Sequence, residues 1–133
     1  MNQMDLSWYQ TLDKPFFTPP SWLFGPAWGV LYILLAISVI LIIKKGIKNK
    51  KVKDALKIFA IQLVLNLLWS PVFFGLKNIL LALILILILW YFILETIKEF
   101  AKIDKTASFL LYPYLAWVSF AAALNFSFWL LNK

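Results

Sequence analysis

The chain has 133 residues, 63% of them hydrophobic and only 14% charged, with a mean hydropathy of +0.85. A soluble domain is about 45–50% apolar and about 25% charged, so these few charges cannot cover a water-facing surface and a soluble monomer is all but excluded. The formal charge of +7 comes from lysine without any arginine, and the absence of cysteine and histidine excludes disulfides, thiol chemistry, zinc sites and His-ligated haem.

The first 22 residues, MNQMDLSWYQTLDKPFFTPPSW, are polar and aromatic, without the basic start and apolar centre of a signal peptide. Pro15, Pro19 and Pro20 deny this segment a continuous helix, and Pro19-Pro20 ahead of Ser21 prepares a helix start. Four charge-free runs follow. Leu23 to Ile43 has 21 residues, about 31 Å as a helix and enough to cross the hydrocarbon of a bilayer. Ile58 to Leu76 has 19 residues, Asn78 to Leu94 has 17 and Thr106 to Asn132 has 27. The shortest run is closed by Lys77 and Glu95, both able to snorkel to an interface. Pro71 and Pro113 fall inside runs, where each kinks the helix or marks a shifted start. The third run is aliphatic all round until Trp90, Tyr91 and Phe92, so its expected surroundings are lipid or a partner, and it lines no polar cavity.

Lipid admits only helices or closed barrels, and no period-2 alternation is present. The expected fold is therefore all-α, an integral membrane helical bundle forming one domain over 1–133. Its helices are expected at about 23–43, 58–76, 78–94 and 106–132, with 1–22 as a Pro-rich, aromatic loop. Seven lysines lie between the first two runs (Lys44, Lys45, Lys48, Lys50, Lys51, Lys53, Lys57) and three between the last two (Lys98, Lys102, Lys105). Only Lys14, Lys77 and Lys133 lie on the other side, which places both lysine-rich loops in the cytoplasm and both termini outside. Lysines gathered between hydrophobic runs read as membrane topology, and no nucleic-acid partner is expected. Abundant Lys, Ile and Asn without Arg suggest an AT-rich bacterium, hence a bacterial cytoplasmic membrane.

In the second run Gln62, Asn66 and Ser70 recur every four residues and share one stripe, flanked by Trp69 and Phe73. Amides in hydrocarbon are costly when unpaired, so the stripe faces protein, water or ligand. Two roles stay open: glue between helices, at about 1 kcal/mol per amide, or the lining of a ligand site. In the last run Trp117, Ala121, Leu124 and Phe128 share a face with Asn125 at its edge. Ala121 to Ala123 permit close helix approach, and Tyr112 with Tyr114 suit an interface belt. Trp8, Trp22 and Trp129 are placed as interfacial anchors. Trp28, Trp69 and Trp117 lie deeper or beside polar groups, where anchoring explains them less well. No Asp, Glu, Lys, Arg or His falls within the four runs, which disfavours a proton-coupled pump. Phosphate loops, paired carboxylates and nucleophile–base sets are also absent. A neutral, aromatic-lined pocket remains, suited to a flat and mostly apolar molecule such as a porphyrin or sterol.

WYQTLDKPFFTPPSWLFGPAWGVLY resembles the loop and second helix of the TspO/MBR family of tryptophan-rich sensory and translocator proteins. QLVLNLLWSPVFF is similar to the family's third helix, and LLYPYLAWVSFAAALNFSFWLLN to its last. The resemblance implies a membrane protein that binds porphyrins, with no required cofactor, in a pocket covered by the first loop. Carried over by position, the binding residues are Tyr9, Pro19, Trp28, Asn66, Trp69, Ser70, Trp117 and Ala121. Trp28 and Trp117 match tryptophans associated with light-dependent breakdown of protoporphyrin, the only catalytic role the resemblance suggests. A homodimer stays open. The alternative is a regulatory or structural membrane subunit whose aromatic face packs against a protein partner. The family has five membrane helices and this chain has four runs, so either a truncated start or a four-helix variant is expected. The weak sterol pattern of the family's C-terminus finds Phe126 and Phe128 where a Tyr is needed, and tight cholesterol binding is not expected.

Overall fold

An unbroken apolar stretch forms the first helix, α1 (Phe24–Ile43). Pro26 is tolerated because it sits in the first turn, where backbone N–H groups have no intrahelical partner. The computed structural model describes residues 23–132, which form helices and short connections without any strand. Trp28, Leu31, Leu35, Ser38 and Ile42, alternately three and four apart, form the buried face of α1. Val30, Ile33, Ile37 and Ile40 are exposed on the opposite face, as a helix facing lipid requires.

A tight turn joins α1 to α2 (Lys50–Ser70). Gly46 adopts φ +112, a conformation that a side chain would strain, and its carbonyl accepts the Asn49 N–H at 3.1 Å. The Asn49 side chain then caps α2 by accepting the Lys51 N–H at 2.8 Å. The helix thus begins eight residues before the charge-free run at Ile58, because the loss of charge marks where hydrocarbon starts and the cap marks where the helix starts. Val52, Ala55, Phe59, Gln62, Asn66 and Ser70 form its buried stripe. Pro71 supplies no N–H, and the backbone widens into a π-helical turn over Pro71–Gly75, closed by the Leu76 N–H on the Pro71 carbonyl at 3.0 Å.

Lys77, at φ 55, reverses the chain, and the Asn78 side chain caps α3 (Ile79–Ala101) by accepting the Leu81 N–H at 3.0 Å. This helix has 23 residues and runs past Glu95, where Glu95–Lys98 and Glu99–Lys102 pair one turn apart. Although aliphatic on every side in sequence, α3 has a distinct inner face of Ala82, Leu83, Ile86, Leu89, Ile93, Ile97 and Phe100. It packs against α2 and α5, with Phe59 and Phe100 stacked at 5.8 Å. The last charge-free run is divided in two. Asp104 caps a short helix, α4 (Lys105–Phe109), and the chain breaks before α5 (Tyr112–Asn132), where Pro113 sits at the second position. Pro113 therefore marks a shifted start. The Ser38 hydroxyl donates to the Ala107 carbonyl at 2.7 Å and fastens α1 to α4. Four helical stretches, Gly25–Ile43, Lys50–Phe73, Ile79–Ala101 and Lys105–Asn132, are long and apolar enough to cross a membrane.

Candidate functional site

The polar stripe of α2 meets two tyrosines from neighbouring helices. The Tyr32 hydroxyl on α1 donates to Asn66 Oδ1 at 2.6 Å, and Asn66 Nδ2 donates to the Tyr114 hydroxyl on α5 at 2.9 Å. Tyr114 in turn donates to Gln62 Oε1 at 2.7 Å. Three helices are joined at one level by a chain of donors running in a single direction. Asn66 sits at its middle with both ends of its amide used. Gln62 Nε2 is buried and has no hydrogen-bond partner among the described residues. Hydrogen bonds between membrane helices are worth about 0.6 kcal/mol on average, so the belt orients the helices more than it binds them.

Aromatic rings gather on the side of this belt away from the lysine-rich loops. Trp28 packs against Tyr32 at 5.8 Å and meets the edges of Tyr114 and Trp117, each at 6.4 Å, with the two indoles at 90°. One helical turn further along α5 lies Ala121, buried and small. A second group follows. Trp69 Nε1 donates to Asn125 Oδ1 at 3.0 Å, Asn125 Nδ2 donates to the Ile79 carbonyl at 3.0 Å, and Phe73 contacts both Trp69 and Phe128. Ser70 is buried on the same stripe of α2. Trp28 is almost fully enclosed, whereas Trp69 and Trp117 remain partly exposed.

Six of the eight residues singled out for binding, Trp28, Asn66, Trp69, Ser70, Trp117 and Ala121, therefore lie on the facing sides of α1, α2 and α5. Tyr9 and Pro19 lie outside the described residues, as do Trp8 and Trp22. Tyr114 corrects an expectation: it is 1% exposed and at the centre of the belt, while Tyr112 alone, at 49%, stays at the surface. Proline at 113 starts the helix so that Tyr114, Trp117, Val118 and Ala121 share its inner face. That spacing was the available signal for Tyr114. Tyr32 lies one helical turn from Trp28 in the sequence, but no pattern there names Asn66 as its partner.

A membrane-spanning helical bundle with a neutral, tryptophan-rich interior is the class these features define. Without Asp, Glu, Lys, Arg or His at its centre, the site offers aromatic stacking surface and amide or hydroxyl groups. The TspO/MBR family profile matches residues 1–130. A tryptophan-rich protein TspO of Chlorobaculum tepidum is 47% identical over 127 residues, covering 95% of this chain and 80% of that protein. Its namesake in Archaeoglobus fulgidus is 48% identical with the same coverage, and the translocator protein of Ovis aries is 38% identical over 95% of this chain and 75% of its own. The chain belongs to the TspO/MBR family.

Proposed function

We propose that this protein binds porphyrins and related tetrapyrroles within the membrane and acts in their sensing, transport or light-dependent degradation. The observation that carries this reading is the meeting of Trp28 and Trp117, from the first and last described helices, at 6.4 Å above a closed polar belt. A flat apolar ring buries most surface against indoles, and Trp69 and Trp117 keep part of theirs available. Ala121 is the small residue one turn beyond Trp117, and the neutral surroundings impose no charge penalty on an uncharged ring. Asn66 acts by holding Tyr32 and Tyr114 against Trp28, with Ser70 beside it on the stripe. Tyr9 and Pro19 are the further binding residues that the family resemblance assigns. A bound tetrapyrrole supplies the absorption of light, and Trp28 and Trp117 are the electron-rich side chains placed to react with it. The lysine-rich loops face the cytoplasm in this reading.

Protoporphyrin added to the purified protein is expected to shift its Soret band and quench tryptophan fluorescence. Illumination in air is expected to consume it, and Trp28→Phe with Trp117→Phe to stop that loss. Undiminished loss in the double variant overturns the photochemical role and leaves binding intact. Uptake no better than by bare detergent micelles favours the other reading, a subunit whose aromatic face meets a protein partner. The Asn66 amide, paired at both ends by tyrosines, is the observation on that side, since it serves packing without any ligand.

A further inference from the structure

We infer that the turn between α1 and α2 and the first two turns of α2 form a binding surface for anionic phospholipid headgroups. Segment 44–57 holds seven lysines against Asp54, so it carries six of the chain's seven net positive charges. The other loop at this end is neutral: Lys98, Lys102 and Lys105 are balanced by Glu95, Glu99 and Asp104. Its carboxylates are also committed, Glu95 and Glu99 to Lys98 and Lys102 at 3.5 and 3.3 Å, and Asp104 to the cap of α4. Of the seven lysines only Lys45 has a carboxylate within reach among the described residues, Asp104 at 4.0 Å. Lys44, Lys48, Lys50, Lys51, Lys53 and Lys57 are exposed without an anionic partner among the described residues.

Their placement fits a lipid surface more closely than positive charge alone requires. The turn is held by its own backbone bonds, from Lys44 to Ile40, Lys45 to Ile42 and Asn49 to Gly46, each close to 3 Å. The cations are therefore presented on a defined frame. Val52, Ala55 and Phe59 turn inward, which leaves the lysines of α2 on its outer side. From Lys50 to the start of the charge-free run, α2 rises about 12 Å, enough to cross a headgroup layer of about 5–8 Å. Ile43, 44% exposed, ends the charge-free run of α1 just before the lysines and can rest on acyl chains, and Ile47, 57% exposed, lies between Lys45 and Lys48 in the turn. Cations spread along the headgroup layer with apolar side chains among them match a phosphate-bearing lipid leaflet. A soluble acidic partner would leave those isoleucines in water.

The test uses the purified full chain in nanodiscs of mixed phosphatidylcholine and phosphatidylglycerol, with retained lipids weighed by native mass spectrometry. Nanodiscs present the same lipids on both sides, so insertion direction does not enter. Wild-type protein is expected to retain phosphatidylglycerol over phosphatidylcholine, and Lys44→Gln, Lys48→Gln, Lys51→Gln and Lys53→Gln together to lower that preference, by about fivefold per lysine at low salt. Lys98→Gln with Lys102→Gln is expected to leave it unchanged. Added salt provides an independent measure on the unaltered protein and is expected to erase the preference. Equal retention of the two lipids by wild type, a preference indifferent to salt, or equal loss in both sets of variants would overturn the inference.

Discussion

Asn66 is the residue on which most of the interior depends. Replacing it with leucine leaves the half-buried Tyr32 hydroxyl without its acceptor and takes from Tyr114 one of its two bonds, at a cost of about 1–3 kcal/mol. Asn66→Leu is therefore expected to lower the midpoint of thermal unfolding in detergent by several degrees. Gln62 makes a sharper case. Gln62→Leu alone strands the Tyr114 proton, but Gln62→Leu with Tyr114→Phe removes both partners together with the unpaired Gln62 Nε2. The double variant is expected to be more stable than Tyr114→Phe alone, because both lose the acceptor of Asn66 Nδ2 but only the single variant also strands Gln62 Oε1. It is also expected to lose less than the two single losses summed, with unfolding midpoints of all three as the measure. Additive losses would show that the bond carries no coupling. The stripe of Gln62, Asn66 and Ser70 was legible because polar residues are rare in such a run and their spacing is helical. Their partners were not legible, because a tyrosine suits an interface belt or a core equally well until its depth and rotation are known.

Helix boundaries follow caps and turns more than hydropathy. Asn49, Asn78 and Asp104 each accept a backbone N–H at a helix start, and all three caps stand at or outside the edge of a charge-free run. The four membrane-length segments could be read from the sequence because absence of charge is what hydrocarbon selects. The two polar turns at the start of α2, the extension of α3 through its ion pairs, and the break before α5 could not be read that way. Nor could the inner face of α3, since a helix aliphatic all round has no contrast by which to find it. Asp104→Ala is expected to destabilise by about 1 kcal/mol through the lost cap, beyond any loss from Lys45. Gly46→Ala is expected to cost about 1–3 kcal/mol from its positive φ. No other atom lies within 4 Å of the added methyl, so that cost is conformational and owes nothing to a clash. Thermal unfolding of the two variants checks both values, and an unchanged midpoint for Gly46→Ala would contradict the conformation assigned to the turn.

At the scale of the whole molecule the two ends divide the work. One end concentrates lysine on a rigid turn, the other holds the tryptophans, and the belt of Tyr32, Asn66, Tyr114 and Gln62 separates them. A ligand that enters among the tryptophans meets this belt as a floor. The most direct test of that arrangement is a protoporphyrin titration, followed by the Soret shift, of wild type, Ala121→Phe and the lipid-facing control Ala60→Phe. The account predicts saturable binding by wild type and Ala60→Phe, and a loss of at least tenfold in affinity, about 1.4 kcal/mol, when a ring replaces the methyl of Ala121. Equal affinity in all three would place the ligand elsewhere and contradict the site.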